Sequence, residues 1–325
     1  MAIILEHVAT LVASSTALAL AWWSGREGRS GSALFWILVC GFVLRLDLGL
    51  HWQLWPWDER YHALVAKNFL ADPWTPRLYP ETVLPERHGD WTTAGIWLHK
   101  PPLASWLLAL ALGVFGENAV ALRVPSFALS LAGVWITYRI GRYAIGPEAG
   151  LVAAGFQATN GVLLDLAAGR RPVDHVDTLL FVLVGAAVLA LARGGPWPRR
   201  LLVLAPLTAL ALLAKTFPGY LIPVLAAVAL RAEGDSPARV IARAATLTAL
   251  ATALAAPWFL YAAWRWPNEL AASFGYMLRH FPAALEAHAG GPGFHLALIG
   301  RFFGEGAWLA IALLLWTAAR ERDAR

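Results

Sequence analysis

The chain has 325 residues, of which 58% are hydrophobic and only 14% charged, with a formal net charge of +5. Soluble domains carry roughly 25% charged residues, so this chain lacks the polar surface to cover a water-soluble globule of its size. The positive balance does not point to nucleic acid, because the arginines fall in short connections between apolar blocks, where they orient a protein in a membrane.

The apolar residues come in blocks of about 20, the length that crosses roughly 30 Å of hydrocarbon. In chain order, spans are expected near 3–23, 32–50, 119–142, 149–168, 175–193, 200–216, 217–231, 240–262 and 294–318. The reading is an all-α polytopic bundle of about nine transmembrane helices, forming one membrane domain over 1–325. Glu6 and His7 stand where the positive n-region of a signal peptide would be, so a retained first span is expected. Cys40 is alone in an apolar run, which rules out a disulfide framework or a cysteine metal site.

Orientation follows from the basic residues. Arg26 and Arg29, Arg139 and Arg142, Arg193, Arg199 and Arg200, Arg231, Arg239 and Arg243, and Arg320, Arg322 and Arg325 group in five places. With the N-terminus outside, all five fall on the cytoplasmic side, as the positive-inside rule requires. Two longer connections then face outward: a first outer loop over 51–118 and a second over 263–294. The segment from Lys215 to Gly219 must turn near the outer face or inside protein, because unpaired backbone is not tolerated against lipid. No internal repeat of the kind found in many transporters is evident.

The first outer loop carries the chemistry. It opens with Trp52, Trp55, Pro56 and Trp57, then Asp58 and Glu59, then Tyr61 and His62 in a helical stretch to Leu70. Interfacial tryptophans are ordinarily an anchoring belt. Carboxylates that follow directly on an apolar span tend to be functional, although Asp58 could also cap the helix. Further on come Trp74, Tyr79, Trp91, Trp97 and then His99-Lys100-Pro101-Pro102-Leu103. The stretch 101–115 is too short to span and is expected as an interfacial helix. Lysine is scarce, and Lys100 and Lys215 both map to the outer boundary against the positive-inside bias. Snorkelling to headgroups explains such a cation, and so does a phosphate partner.

The ordered set Asp58-Glu59, Lys100-Pro101-Pro102-Leu103, Phe115-Gly116-Glu117-Asn118 and Arg123-Val124-Pro125-Ser126 resembles the GT-C glycosyltransferases. More narrowly, it resembles the protein O-mannosyltransferase superfamily, which includes the lipid A aminoarabinose transferases, over roughly 32–300. The resemblance implies an outer-face site, a polyprenyl-phosphate sugar donor and inverting transfer of a hexosyl or pentosyl group. It implies Asp58 as the catalytic residue, with Glu59 beside it, and Lys100 as a partner of the lipid phosphate. An Asp that follows an Arg at the start of a later span is matched by Asp177, with Asp174 as the competing choice. Lys215 to Gly219 loosely matches a Lys-Gly-Pro-like break. In the second outer loop Arg279, His280, His288 and His295 are of the right type, without a matching order. Family members usually begin with the span before Asp-Glu and continue into further spans and an outer domain. Because acceptor contacts often lie in that domain, the acceptor is left open.

The residues supply their own chemistry. An attacking hydroxyl must lose its proton, which a placed carboxylate accepts, and the oxocarbenium-like state is stabilised by negative charge. Asp58 is the candidate base. The leaving phosphate needs cations, for which Lys100, Arg279, Lys215 and Arg171 are candidates. Tyr61, His62, His99, His280 and Asp177 are candidate substrate contacts. A divalent cation is possible, but no histidine pair has a recognised ligand spacing. The expected partners are the bilayer, a polyprenyl-phosphate-linked sugar and a lipid, glycan or protein acceptor, with no nucleic acid. The expected location is a bacterial inner membrane, the site facing the periplasm or exterior. Two other readings compete: a flippase of lipid-linked sugars, with Arg45, Asp47 and Asp165 lining a path, and a non-catalytic lipid-binding subunit.

Overall fold

The computed structural model describes residues 2–81, 85–87, 90–170, 174–279, 283, 293–303 and 308. Thirteen α-helices form among them: α1 (Ala2–Arg26), α2 (Ser30–Gly49), α3 (Asp58–Ala71), α4 (Leu103–Phe115), α5 (Ala119–Ala144), α6 (Pro147–Thr159), α7 (Gly161–Ala167), α8 (Asp174–Ala192), α9 (Trp197–Lys215), α10 (Leu221–Ala232), α11 (Pro237–Arg265), α12 (Pro267–Arg279) and α13 (Phe294–Phe303). Six of these, α1, α2, α5, α8, α9 and α11, are long and apolar enough to cross a membrane. The protein is an all-α integral membrane bundle, as its composition requires.

The other expected spans take different forms. The stretch 149–168 is divided at Asn160, whose side-chain oxygen accepts a hydrogen bond from Leu163 N at 3.1 Å and so caps α7. After α9 the chain turns through a 3₁₀ segment, Phe217–Tyr220, before α10. Thr216 enters that turn at φ 28° and ψ −109°, and Pro218 cannot donate to a continuing helix. Gly219 rests on the α9 backbone, where an added Cβ would lie 2.6 Å from Leu212 N. Most of the stretch 294–318 lies outside the described residues beyond α13.

The bundle has two chemically distinct ends. At one end Arg139 and Arg193 both lie over Tyr143, bringing the C-termini of α5 and α8 together. There too Arg200 pairs with Glu233 at 2.8 Å, and Arg243 pairs with Asp235 and lies over Trp197. Arg139, Arg193, Arg200 and Arg243, four of the arginines that set the expected orientation, therefore collect at one end.

The opposite end carries the first outer loop, folded rather than loose. Leu78 N donates to Gly95 O at 3.0 Å and Trp97 N to Pro76 O at 2.6 Å, turning the loop back on itself. Under it Val65, Phe69, Leu78, Trp97, Leu108 and Leu122 form a buried apolar core joining α3, α4 and α5. Each such side chain contributes about 1.5–3 kcal/mol by leaving water. This core fixes α3 and the segment ending at His99 and Lys100 in one rigid piece. The expected helices over 59–70 and 101–115 are present as α3 and α4.

Candidate active site

Asp58 is the first residue of α3 and is 8% exposed. The N-cap is Trp57, not Asp58, and it makes no side-chain cap hydrogen bond. The capping explanation of Asp58 is thereby corrected: the helix starts one residue earlier than such a role requires. Trp57 has φ 77° and ψ −126°, a conformation a bulky residue rarely adopts and one that costs about 1–3 kcal/mol. Among the described residues only Trp57 and Thr216 combine a side chain with positive φ. They adjoin Asp58 and Lys215, two of the charged residues singled out by the sequence.

Glu59 faces the interior and is 1% exposed. Arg123 Nε donates to its Oε1 at 2.6 Å, and Arg123 Nη2 to its Oε2 at 2.8 Å. Trp55 N donates to Oε2 at 2.6 Å. Arg123 also donates to the carbonyls of Gly49, His51 and Gln53, so one guanidinium fixes the chain between α2 and α3. His175, at the start of α8, places Nε2 at 3.6 Å from Glu59 Oε1, while its Nδ1 shares a 2.6 Å hydrogen bond with Ser126 Oγ. Burial pushes the Glu59 carboxyl up, but the hydrogen bonds and charges of His175 and Arg123 outweigh it and hold the group below the usual range. Gly169, at φ +71°, lies directly on the Glu59 carboxylate, where any Cβ would collide. Serine, histidine and carboxylate follow in the order of a catalytic triad, but all three are buried, so the cluster acts as a clamp on the start of α3.

From Asp58 an aromatic train runs outward. Trp57 and Tyr61 both meet Trp91 edge-on, at 5.8 and 4.9 Å between ring centres. Trp91 stacks flat on His99 at 4.4 Å, and His99 meets Tyr276 of α12 at 5.6 Å. The Arg279 guanidinium lies over Tyr276 at 5.3 Å. His62 is buried between Trp97 and His175, with ring centres 5.7 and 6.5 Å away. A cavity of about 790 Å³ opens between α12 and the loop residues 86–87 and 90–99, walled by Trp91, Trp97, His99, Tyr276 and Arg279.

The structure thus brings Asp58, Glu59, Tyr61, His62, His99 and Arg279 into one neighbourhood. Lys100 follows His99 directly and is partly exposed. Lys215 and Asp177, expected to meet donor phosphate and substrate separately, instead meet each other, Nζ to Oδ1 at 2.6 Å. Arg171 and His280 lie outside the described residues, as does the Asp174 side chain. Among the described residues no three His, Cys, Asp or Glu side chains gather to hold a metal ion. Sequence reading gave no role to Arg123, Ser126, His175 or Gly169. Arg123 and Ser126 stood in one of the motifs that carry the resemblance, and Arg123 was also a cation at the outer end of an apolar block.

The proposed transport path is not assembled from the expected residues. Arg45 donates to Ser130 Oγ and to the carbonyls of Gly41 and Ala158, tying α2 to α5 and α6. Asp47 bonds His7 and Thr10 of α1, and Asp165 pairs with Arg170.

The helical architecture is that of a GT-C type membrane protein. ArnT from Cupriavidus metallidurans, in a structure bound to undecaprenyl phosphate, shares the fold with a TM-score of 0.60 at 21% identity, over 91% of this chain and 51% of that one. Its apo structure gives 0.59 at 20% identity, over 88% and 50%. The chain belongs to the dolichyl-phosphate-mannose-protein mannosyltransferase family, whose model matches residues 99–264. That match begins at His99 and takes in Lys100, Arg123, His175, Asp177 and Lys215. Among curated relatives, the undecaprenyl phosphate-alpha-4-amino-4-deoxy-L-arabinose arabinosyl transferase of Pseudomonas aeruginosa (strain UCBPP-PA14) is 26% identical over 203 residues, covering 59% of this chain and 33% of the relative. Its counterpart in Pseudomonas paraeruginosa is 25% identical over the same length. The chain spans about a third of the length of the curated relatives it matches.

Proposed function

We propose that the chain is a membrane glycosyltransferase that moves a hexosyl or pentosyl group, with inversion, from a polyprenyl-phosphate donor to an acceptor hydroxyl. The carrying observation is Asp58, held at a strained helix start by the buried Glu59–Arg123 clamp, with its neighbour Trp57 packed edge-on against Trp91 of the cavity wall. Family membership and the names of the relatives agree with this reading.

Asp58 takes the proton of the attacking hydroxyl, which bonds to the anomeric carbon opposite the phosphate. The carbon–oxygen bond to phosphate breaks, and Lys100 and Arg279 neutralise the departing charge. Lys215 joins them by leaving Asp177 for the phosphate. Both oxygens of Glu59 are already engaged, so Glu59 positions Asp58 rather than sharing its proton transfer. The arginine-rich end takes the cytoplasmic side of a bacterial inner membrane, and the loop end faces the periplasm or exterior.

The test supplies labelled polyprenyl-phosphate sugars and a mixed acceptor extract to purified wild type and Asp58→Asn. Wild type consumes donor and the variant, equally folded, does not. Equal consumption by both removes Asp58 from the chemistry. Binding without consumption by either makes the chain a lipid-binding subunit.

A further inference from the structure

The arginine-rich end of the bundle treats its cations in two ways. Arg200 is neutralised by Glu233 at 2.8 Å, and Arg239 and Arg243 both pair with Asp235. Arg139, near the end of α5, and Arg193, just past α8, have no carboxylate partner among the described residues, and Glu148, at the start of α6, pairs with neither. Both guanidiniums gather instead round the ring of Tyr143, at 5.5 and 5.9 Å from its centre. Arg139 also lies over Trp135 at 5.1 Å, and its Nη2 donates to Tyr143 Oη at 3.2 Å. Its Nε is buried and has no acceptor among the described residues. Like charges held at one ring repel each other, and a buried N–H without an acceptor is costly. An anion set between the guanidiniums relieves the repulsion and offers acceptors to their N–H groups.

The surroundings say which anion. Trp135, Arg139 and Tyr143 follow at i, i+4 spacing, so they share one stripe of α5 that runs from its end into the membrane. Tyr143 is 49% and Trp135 38% exposed. Below Trp135 the stripe continues in Ala132 and Ala128, both exposed and small, which leaves a furrow open to lipid. Phe181 of α8 flanks it by packing on Gly133. Cationic above, aromatic at the boundary and apolar below, the stripe has the profile of one phospholipid. The planar guanidinium matches phosphate oxygens in pairs, and basic groups between helices at a membrane boundary hold anionic headgroups. A zwitterionic headgroup brings its own cation and is held less.

We infer that Arg139, Arg193 and Tyr143 bind the phosphate of one anionic phospholipid in the leaflet at the arginine-rich end, with an acyl chain along Trp135, Ala132 and Ala128. The inference needs only that the chain spans a membrane, and does not rest on glycosyl transfer.

The experiment uses the full chain in detergent and native mass spectrometry, with phosphatidylglycerol and phosphatidylethanolamine of matched acyl chains as probes. Wild type holds phosphatidylglycerol about tenfold more tightly than phosphatidylethanolamine. Arg139→Gln with Arg193→Gln binds phosphatidylglycerol about thirtyfold more weakly, the scale of two basic groups near the surface. Arg199→Gln with Arg239→Gln removes the same charge from the same end and leaves binding unchanged. Equal losses in the two double variants reduce the attraction to diffuse surface charge and overturn the inference. Equal retention of the two lipids by wild type overturns it without any variant having to fold. Displacement of phosphatidylglycerol by an equal concentration of inorganic pyrophosphate makes the site one for a soluble anion and overturns it too.

Discussion

Arg123 and Glu59 meet through two parallel hydrogen bonds, Nε to Oε1 at 2.6 Å and Nη2 to Oε2 at 2.8 Å, with neither side chain reaching solvent. Removing one partner of a buried pair strands the other charge, at about 3–5 kcal/mol. Arg123→Met also leaves the carbonyls of Gly49, His51 and Gln53 without their donor. Its melting temperature in detergent is expected to fall sharply. Adding Glu59→Met should recover part of the loss, because no charge is then orphaned. Strictly additive effects of the two substitutions would show that the pair is not coupled.

Gly169 and Gly28 offer a matched comparison. Their φ angles are +71° and +73°, so alanine suffers a similar backbone cost of about 1 kcal/mol at each. Around Gly28 nothing lies within 4 Å, whereas at Gly169 the new Cβ falls on the Glu59 carboxylate. Gly169→Ala should therefore destabilise by about 1–3 kcal/mol more than Gly28→Ala and reduce sugar transfer. Equal melting temperatures for the two variants would mean that Gly169 is needed only for its backbone angle.

Acid titration reads the clamp in another way. The folded Glu59 carboxyl is held below its ordinary range. Its contribution is complete above that range and is lost only as pH falls through the lower folded value. Glu59→Gln should melt below wild type at neutral pH, and the two curves should converge in acid as the wild-type group protonates. A gap that widens toward low pH would contradict the assignment.

Much of this was legible in the chain. Blocks of about 20 apolar residues gave α1, α2, α5, α8, α9 and α11. Arginine placement anticipated that Arg139, Arg193, Arg200 and Arg243 collect at one end. Asp58 stood out because acids beside hydrocarbon are costly. The clamp was not legible, since Glu59 finds Arg123 64 residues away, and Ser126 finds His175 49 residues away. No local pattern encodes such pairing. Two misses had local signals. Asn160 before Gly161 is a helix-start signature inside a block read as one span. Arg123 is an outer-end cation, to which the argument applied to Lys100 and Lys215 extends unchanged.

That argument has its sharpest test at Lys215. The Lys215–Asp177 pair is about a quarter exposed on each side, 24% and 26%, so water screens it to about 0–1 kcal/mol of stability. Asp177→Asn should barely move the melting temperature. It frees the Lys215 ammonium while the strained turn at Thr216 keeps the residue in place. Undecaprenyl phosphate binding, followed by fluorescence in detergent, is then expected to hold or tighten in Asp177→Asn. In Lys215→Met it should weaken about tenfold, the scale of one lost charge-assisted contact. Wild-type affinity in Lys215→Met would show that Lys215 serves only to neutralise Asp177. The phosphate would then be left to Lys100 and Arg279.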